Sequence, residues 1–459
     1  MPNRPERSES PTRSGATPPF PVTLGAGVTR LVLPGVIALM ASTAAGPARA
    51  TITPDARRVV DRYLEAAGGQ AAFHAIRTQR IVAHITALGF QGTTTTYAER
   101  PNRRASRTQL GPFQIPEGFD GAGGWRIDPS GKLLVLDTKE LDDARASAYF
   151  ENAMWLEPDQ GGGNVTKVAG ERDSAGTYTV LEITPPTGRP RRYWFNDRTG
   201  LVDRESMKRD QQSVVGTVSD YRRVDGRMMP YKTVVRIVDM PANDLTIDVD
   251  SVIVNGPIDP AVFQPPSAEA ERLSWLETPG VAVVPIRYEA RHVWVRASID
   301  GAEPADFLFD TGASITILDS TYAAKLGLTT QGEMQSMGAG SAGSARFSKI
   351  GALRLLGDHG DGVEFRDQQV GVLSINSFLE PFFWRPCAGV IGADFISRAV
   401  IEIDYDRGLM TVRDPKTFKY AGQGQAIPLT LADNIPVVRM TLDGGITGEF
   451  RVDVGSSST

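Results

Sequence analysis

In Ala305-Asp306-Phe307-Leu308-Phe309-Asp310-Thr311-Gly312-Ala313-Ser314 an apolar strand runs into an acid. Thr-Gly follows, where a residue without a side chain lets the backbone turn sharply. A second apolar run, Ile315 to Leu318, comes next. This order places one carboxylate at the tip of a turn held by buried strands. Its oxygens are then within reach of backbone N–H groups and of the Ser314 hydroxyl. An isolated Asp-Thr-Gly is more often a structural or capping turn, so the meaning of Asp310 depends on what else the chain carries.

Two further elements lie downstream. Gly389-Val390-Ile391-Gly392-Ala393-Asp394-Phe395 joins an apolar pair to glycine, and Ala399 to Tyr405 alternates as a strand before the turn Asp406-Arg407-Gly408 and the run Leu409 to Val412. Between them, Met337-Gly338-Ala339-Gly340-Ser341-Ala342-Gly343 reads as a glycine-rich hairpin. In this order, the three elements resemble the aspartic peptidases, closest to the retropepsin-like group that includes secreted bacterial members. The resemblance covers residues 281–420. It implies a β lobe in which Asp310 is catalytic, and in which Thr311, Gly312 and Ser314 support the turn. Ile391 and Gly392 would pack beneath it, and a flap carrying Gly338, Gly340 and Gly343 would cover an extended peptide. The implied reaction is endopeptidase hydrolysis by a water activated between two aspartates, with no metal or organic cofactor.

The second aspartate is supplied by an internal repeat. Shifted by 143 residues, positions 285–316 fall on 428–459 with ten identities and no gap. Pro285 matches Pro428, Asp300-Gly301 matches Asp443-Gly444, Phe307 matches Phe450, and Asp310, Gly312, Ser314 and Thr316 match Asp453, Gly455, Ser457 and Thr459. Residues 421–459 therefore read as the beginning of a second, truncated lobe, and the sequence as a fragment. Two carboxylates about 3 Å apart share one proton, because like charges so close cannot both ionise. In the family the threonine of each turn bonds across to the other, and Val454 stands where the second threonine is expected. A homodimer in which each copy gives one Asp310 is the alternative to the 310/453 pair.

Residues 51–270 read differently. Val59, Val60, Tyr63, Leu64 and Ala67 recur at helical spacing before Gly68-Gly69, and short alternating runs broken by turn residues follow. These include Arg192 to Phe195, Leu201 to Glu205, Thr233 to Ile237 and Leu245 to Val249. Pro265-Pro266 opens a linker expected over 271–280. Phe119-Asp120-Gly121 with Trp125, Asp220-Tyr221-Arg222, Val224-Asp225-Gly226, Pro230-Tyr231 and Asp259-Pro260 with Phe263 resemble the LolA-like periplasmic lipoprotein carriers. That resemblance implies a curved antiparallel sheet closed over helices around an apolar cavity, able to hold a lipid, an acyl chain or a peptide. Alternation looks the same whether such an interior is empty or filled. The fold class expected overall is mainly β, with an α+β first domain. A second functional reading follows from it: a periplasmic lipid-, lipoprotein- or peptide-binding protein whose peptidase-like lobe is not catalytic.

Composition narrows the field. A net charge of −5 lacks the basic footprint of a nucleic-acid binder. A single cysteine, Cys387, allows no intrachain disulfide, and four histidines show no metal-ligand spacing. The first 50 residues read as an export leader: Arg4, Arg7, Arg13 and Arg30, an apolar run from Leu31 to Ala45, and Ala48-Arg49-Ala50 as the cleavage site. A periplasmic or secreted protein starting at Thr51 is expected.

Overall fold

The computed structural model describes residues 51–456, apart from 129, 210–211, 239–242, 267–271, 339–340, 378, 380–384 and 433–434. The leader, Gly340 and Ser457 lie outside the described residues. The architecture is mainly β, as expected: a large curved antiparallel sheet carrying helices, followed by a β lobe and a short third sheet.

The first sheet has fourteen strands, built from two meanders joined where Leu245–Val254 pairs antiparallel with Thr78–Ala87. Helix Pro54–Ala66 starts where Thr53 accepts a bond from the Ala56 N–H and where proline fits the first turn. Its buried face is Ala56, Val60 and Leu64, one residue per turn. The interior that this helix and the sheet enclose is filled with aromatic rings. Tyr63 lies 5.7 Å from Trp155 and 5.5 Å from Phe195, and Trp155 stacks on Tyr193 at 5.9 Å. Offset and edge contacts of this kind add about 0.5–1.5 kcal/mol each to the burial itself. Two of the motif residues meet elsewhere on the sheet, where the Trp125 indole N–H donates to the Phe263 carbonyl at 2.8 Å.

The second sheet has eleven strands and positions the site. Ala305–Phe309 runs parallel to Gly389–Ile391, and Ile317–Asp319 runs antiparallel to that strand and parallel to Gly362–Leu373. Side chains alternate across these strands. Phe307, Phe309, Leu318 and Ile391 point into the core of the lobe, while Leu308, Ile317 and Val390 point to the opposite face, which is also buried. Part of the expected linker is built into this sheet. Leu273–Trp275 pairs antiparallel with Gly362–Leu373, so the 271–280 segment is tied to the lobe by a strand.

The third sheet repeats the first lobe in register as well as in sequence. Val295 faces Phe307 and Arg296 faces Asp306, while 143 positions on Val438 faces Phe450 and Arg439 faces Glu449. The two large sheets meet through a shared apolar cluster and through polar ties. The Lys132 ammonium donates to the Ser397 carbonyl at 2.5 Å, and the Arg398 guanidinium donates to the Ser130 carbonyl at 2.9 Å.

Candidate active site

The Asp310 turn is fixed from below. Its own N–H donates to the Ile391 carbonyl at 3.0 Å, continuing the parallel pairing by one residue, and the Ala393 N–H donates to the Ala313 carbonyl at 2.7 Å. A Cβ at Gly392 would stand 2.5 Å from the Ile315 carbonyl oxygen, so only glycine lets the two backbones approach this closely. Above, the Gly312 N–H donates to Asp310 Oδ1 at 2.7 Å. Ser314 is fully buried at the base of the turn.

The second turn copies these bonds. The Gly455 N–H donates to Asp453 Oδ1 at 2.9 Å. The Ala313 N–H to Asp310 carbonyl contact of 3.4 Å has its counterpart in Ser456 to Asp453 at 3.5 Å. The two turns face each other. A Cβ at Gly312 would lie 2.5 Å from Asp453 Oδ2, and one at Gly455 would overlap the Asp310 carboxyl. Each carboxylate thus rests on the glycine of the opposite turn. Asp310 and Asp453 of one chain are thus brought together, one of the two pairings the sequence left open beside a pair of Asp310 residues from two copies.

Thr311 joins the turns with one hydroxyl. Its Oγ1 donates to the Val452 carbonyl at 2.6 Å and accepts from the Val454 N–H at 3.0 Å. Val454 has no hydroxyl to return the contact, so the link between the turns is one-sided.

Electrostatics follow from this geometry. Asp310 is 8% exposed. Burial first, and then the neighbouring Asp453 charge, push its carboxyl up to about 8. The bond from Gly312 opposes the shift. A carboxyl pair of this kind retains one proton into the neutral range and can both give and take a proton at one spot.

The flap expected from the glycines is a hairpin. Gln331–Gly338 pairs antiparallel with Ser341–Leu356, with Ser336 opposite Gly343 and Gly338 opposite Ser341. The turn itself falls on residues 339–340, outside the described ones. One pair of residues escaped the sequence reading. The Thr316 hydroxyl accepts from the Gly392 N–H at 3.2 Å and donates to Asp394 Oδ1 at 2.8 Å. Asp394 is 1% exposed, and burial pushes its carboxyl up to about 6. The signal was available: an acid inside the apolar run after Gly392, and a threonine retained in the repeat as Thr459.

Residues 295–395 match the family model described as aspartyl protease. The match takes in Asp310, the flap and Asp394, so the chain carries an aspartyl-protease-like domain. Among solved structures, a LolA superfamily protein from Nitrosomonas europaea aligns at 11% identity over 46% of this chain and 97% of its own, with a TM-score of 0.32. MucB aligns at 13% identity over 74% of this chain and 98% of its own, with a TM-score of 0.16. The Pseudomonas aeruginosa MucA/MucB complex aligns at 13% identity over 69% and 95%, with a TM-score of 0.15. A comparison with curated proteins finds no match.

Proposed function

We propose that this chain is an exported aspartic endopeptidase whose dyad is Asp310 and Asp453. The observation that carries the proposal is the docking of two Asp-x-Gly turns of one chain face to face, each carboxylate against the opposite glycine and the turns joined by the Thr311 hydroxyl.

With one proton on the pair, the more deeply buried Asp310 holds it. The ionised partner takes a proton from a water, whose oxygen attacks the scissile carbonyl carbon. Asp310 gives its proton to the carbonyl oxygen, and a tetrahedral diol forms. The proton taken from water then passes to the amide nitrogen, the C–N bond breaks as one diol hydroxyl returns its proton to Asp310, and a carboxylic acid and an amine leave. Gly312 and Gly455 hold the carboxylates in place through their N–H groups, and the flap excludes bulk water from the peptide. The rival reading, a carrier with a non-catalytic lobe, has the ring-filled interior of the first sheet against it.

The test is hydrolysis of an unfolded protein by residues 51–459 across pH 3–8, beside Asp310→Asn. Cleavage lost in the variant supports the proposal. Cleavage equal in both, or absent from both after prolonged incubation, refutes it.

A further inference from the structure

Two hairpins of the first sheet end in apolar tips. Thr78–Ala87 turns into Phe90–Glu99 through Leu88-Gly89, and Arg103–Leu110 turns into Phe113–Phe119 through Gly111-Pro112. Both tips emerge at the same end of the sheet. Hairpin turns are ordinarily polar and exposed. Here Leu88, Phe90, Leu110 and Phe113 are all at most 6% exposed. Leu88 adopts a φ of +53°, a left-handed conformation unfavourable for a residue with a branched side chain, which its surroundings must hold in place.

They are buried against the face of the lobe that carries Asp310. Leu308 precedes Asp310 by two residues and Ala313 follows it by three. Both share one apolar cluster with Ile317 and Val390, with Met334 and Phe347 of the flap stem, and with the four tip residues. Phe347 meets Phe113 at 5.2 Å and Phe90 at 5.8 Å. The tips therefore lie between the flap stem and the wall of the catalytic turn, where an extended peptide under the flap has to pass.

The flap strand is shaped for this contact. Its register with the second flap strand shifts between Gln331 and Met334. In this irregular stretch the Glu333 N–H donates to the Leu88 carbonyl at 2.7 Å. Gly332, with a φ of +66°, leaves room where a Cβ would meet the Phe90 ring.

We propose that the Leu88-Gly89-Phe90 and Leu110-Gly111-Pro112-Phe113 tips are an internal plug. They occupy the apolar wall of the substrate cleft, and a peptide with bulky apolar side chains has to displace them. The proposal rests on the cleft reading above, but its test does not require catalysis.

In an Asp310→Asn background, binding of a fluorescein-labelled decapeptide with a central Phe-Phe pair is measured by anisotropy. Phe90→Ala/Phe113→Ala binds at least tenfold more tightly than its parent, and Phe90→Leu, which keeps the cleft filled, binds like the parent. Equal or weaker binding by the double variant, or no binding by any form, overturns the plug. Hydrogen exchange on the parent needs no change at the tips. Saturating peptide accelerates exchange of the Glu333 amide and of residues 88–90, and unchanged exchange there overturns the plug even if the double variant fails to fold. Tighter binding without any cleavage when Asp310 is restored would refute the peptidase reading and leave the plug standing.

Discussion

Thr311→Val is the most informative single change at the dyad. Valine keeps the shape of threonine and removes only the hydroxyl, making the first turn match Val454 in the second. Two bonds disappear, the donation to the Val452 carbonyl at 2.6 Å and the acceptance from the Val454 N–H at 3.0 Å. A typical bond of this kind contributes about 0.5–1.5 kcal/mol net, and both sites are partly open to water that can replace the lost partner. The docked turn should therefore lose about 1–3 kcal/mol. At about 1.4 kcal/mol per factor of ten, that is roughly 5- to 150-fold in the docking equilibrium. Hydrogen exchange of the Val454 amide reads the docking directly, and kcat/KM on a peptide reads its consequence. Protection should fall by that factor, kcat/KM should fall by at most as much because it follows the docked fraction, and Thr311→Ser should restore both. Unchanged protection of Val454 in Thr311→Val would refute the claim that this hydroxyl joins the turns.

The same geometry makes further predictions. Val454→Thr adds the missing hydroxyl on the second turn and should protect the turns further, by about 1 kcal/mol in amide exchange. Gly455→Ala drives a methyl into the Asp310 carboxyl; a displacement of about 1 Å at reacting groups can cost about a hundredfold in rate, so activity should fall at least that far while circular dichroism is retained. Thr316→Val leaves the buried Asp394 without its hydroxyl donor and should lower lobe stability by about 1–3 kcal/mol in denaturant unfolding. The Asp310 carboxyl is raised above its unfolded value, so the folded state binds more protons than the unfolded one between about pH 4 and pH 8. Stability should decline as pH rises through that window, cleavage should fall as pH passes about 8, and Asp310→Asn should flatten the stability profile between about pH 6 and pH 8, above the range in which Asp394 titrates. A profile with the same slope in that variant would contradict the assignment.

Much of the site was legible because its chemistry is local. A carboxylate at a Thr-Gly turn, a glycine-rich hairpin and an apolar pair before Gly392 sit in short runs, and the 143-residue repeat located Asp453 through identities alone. What escaped depends on distant partners. Leu273–Trp275 is too short to alternate, and it becomes a strand only because Gly362–Leu373 accepts it some ninety residues later. The filled interior of the first sheet was undecidable, since alternating residues look alike around rings or around space. The covered face of the lobe did leave a trace. Phe307-Leu308-Phe309 is apolar without alternation, the mark of a strand buried on both sides, and the second covering layer turned out to be the hairpin tips.

The proposed dyad draws both carboxylates from one chain. Its direct test is the specific activity of Asp310→Asn, of Asp453→Asn and of their equimolar mixture, in the parent and in the Phe90→Ala/Phe113→Ala background, over a hundredfold range of protein concentration. Both variants and the mixture should be inactive, and the unsubstituted dyad should have a specific activity independent of concentration. Activity retained by Asp453→Asn and rising with concentration would contradict it, and would place the dyad between two copies of Asp310.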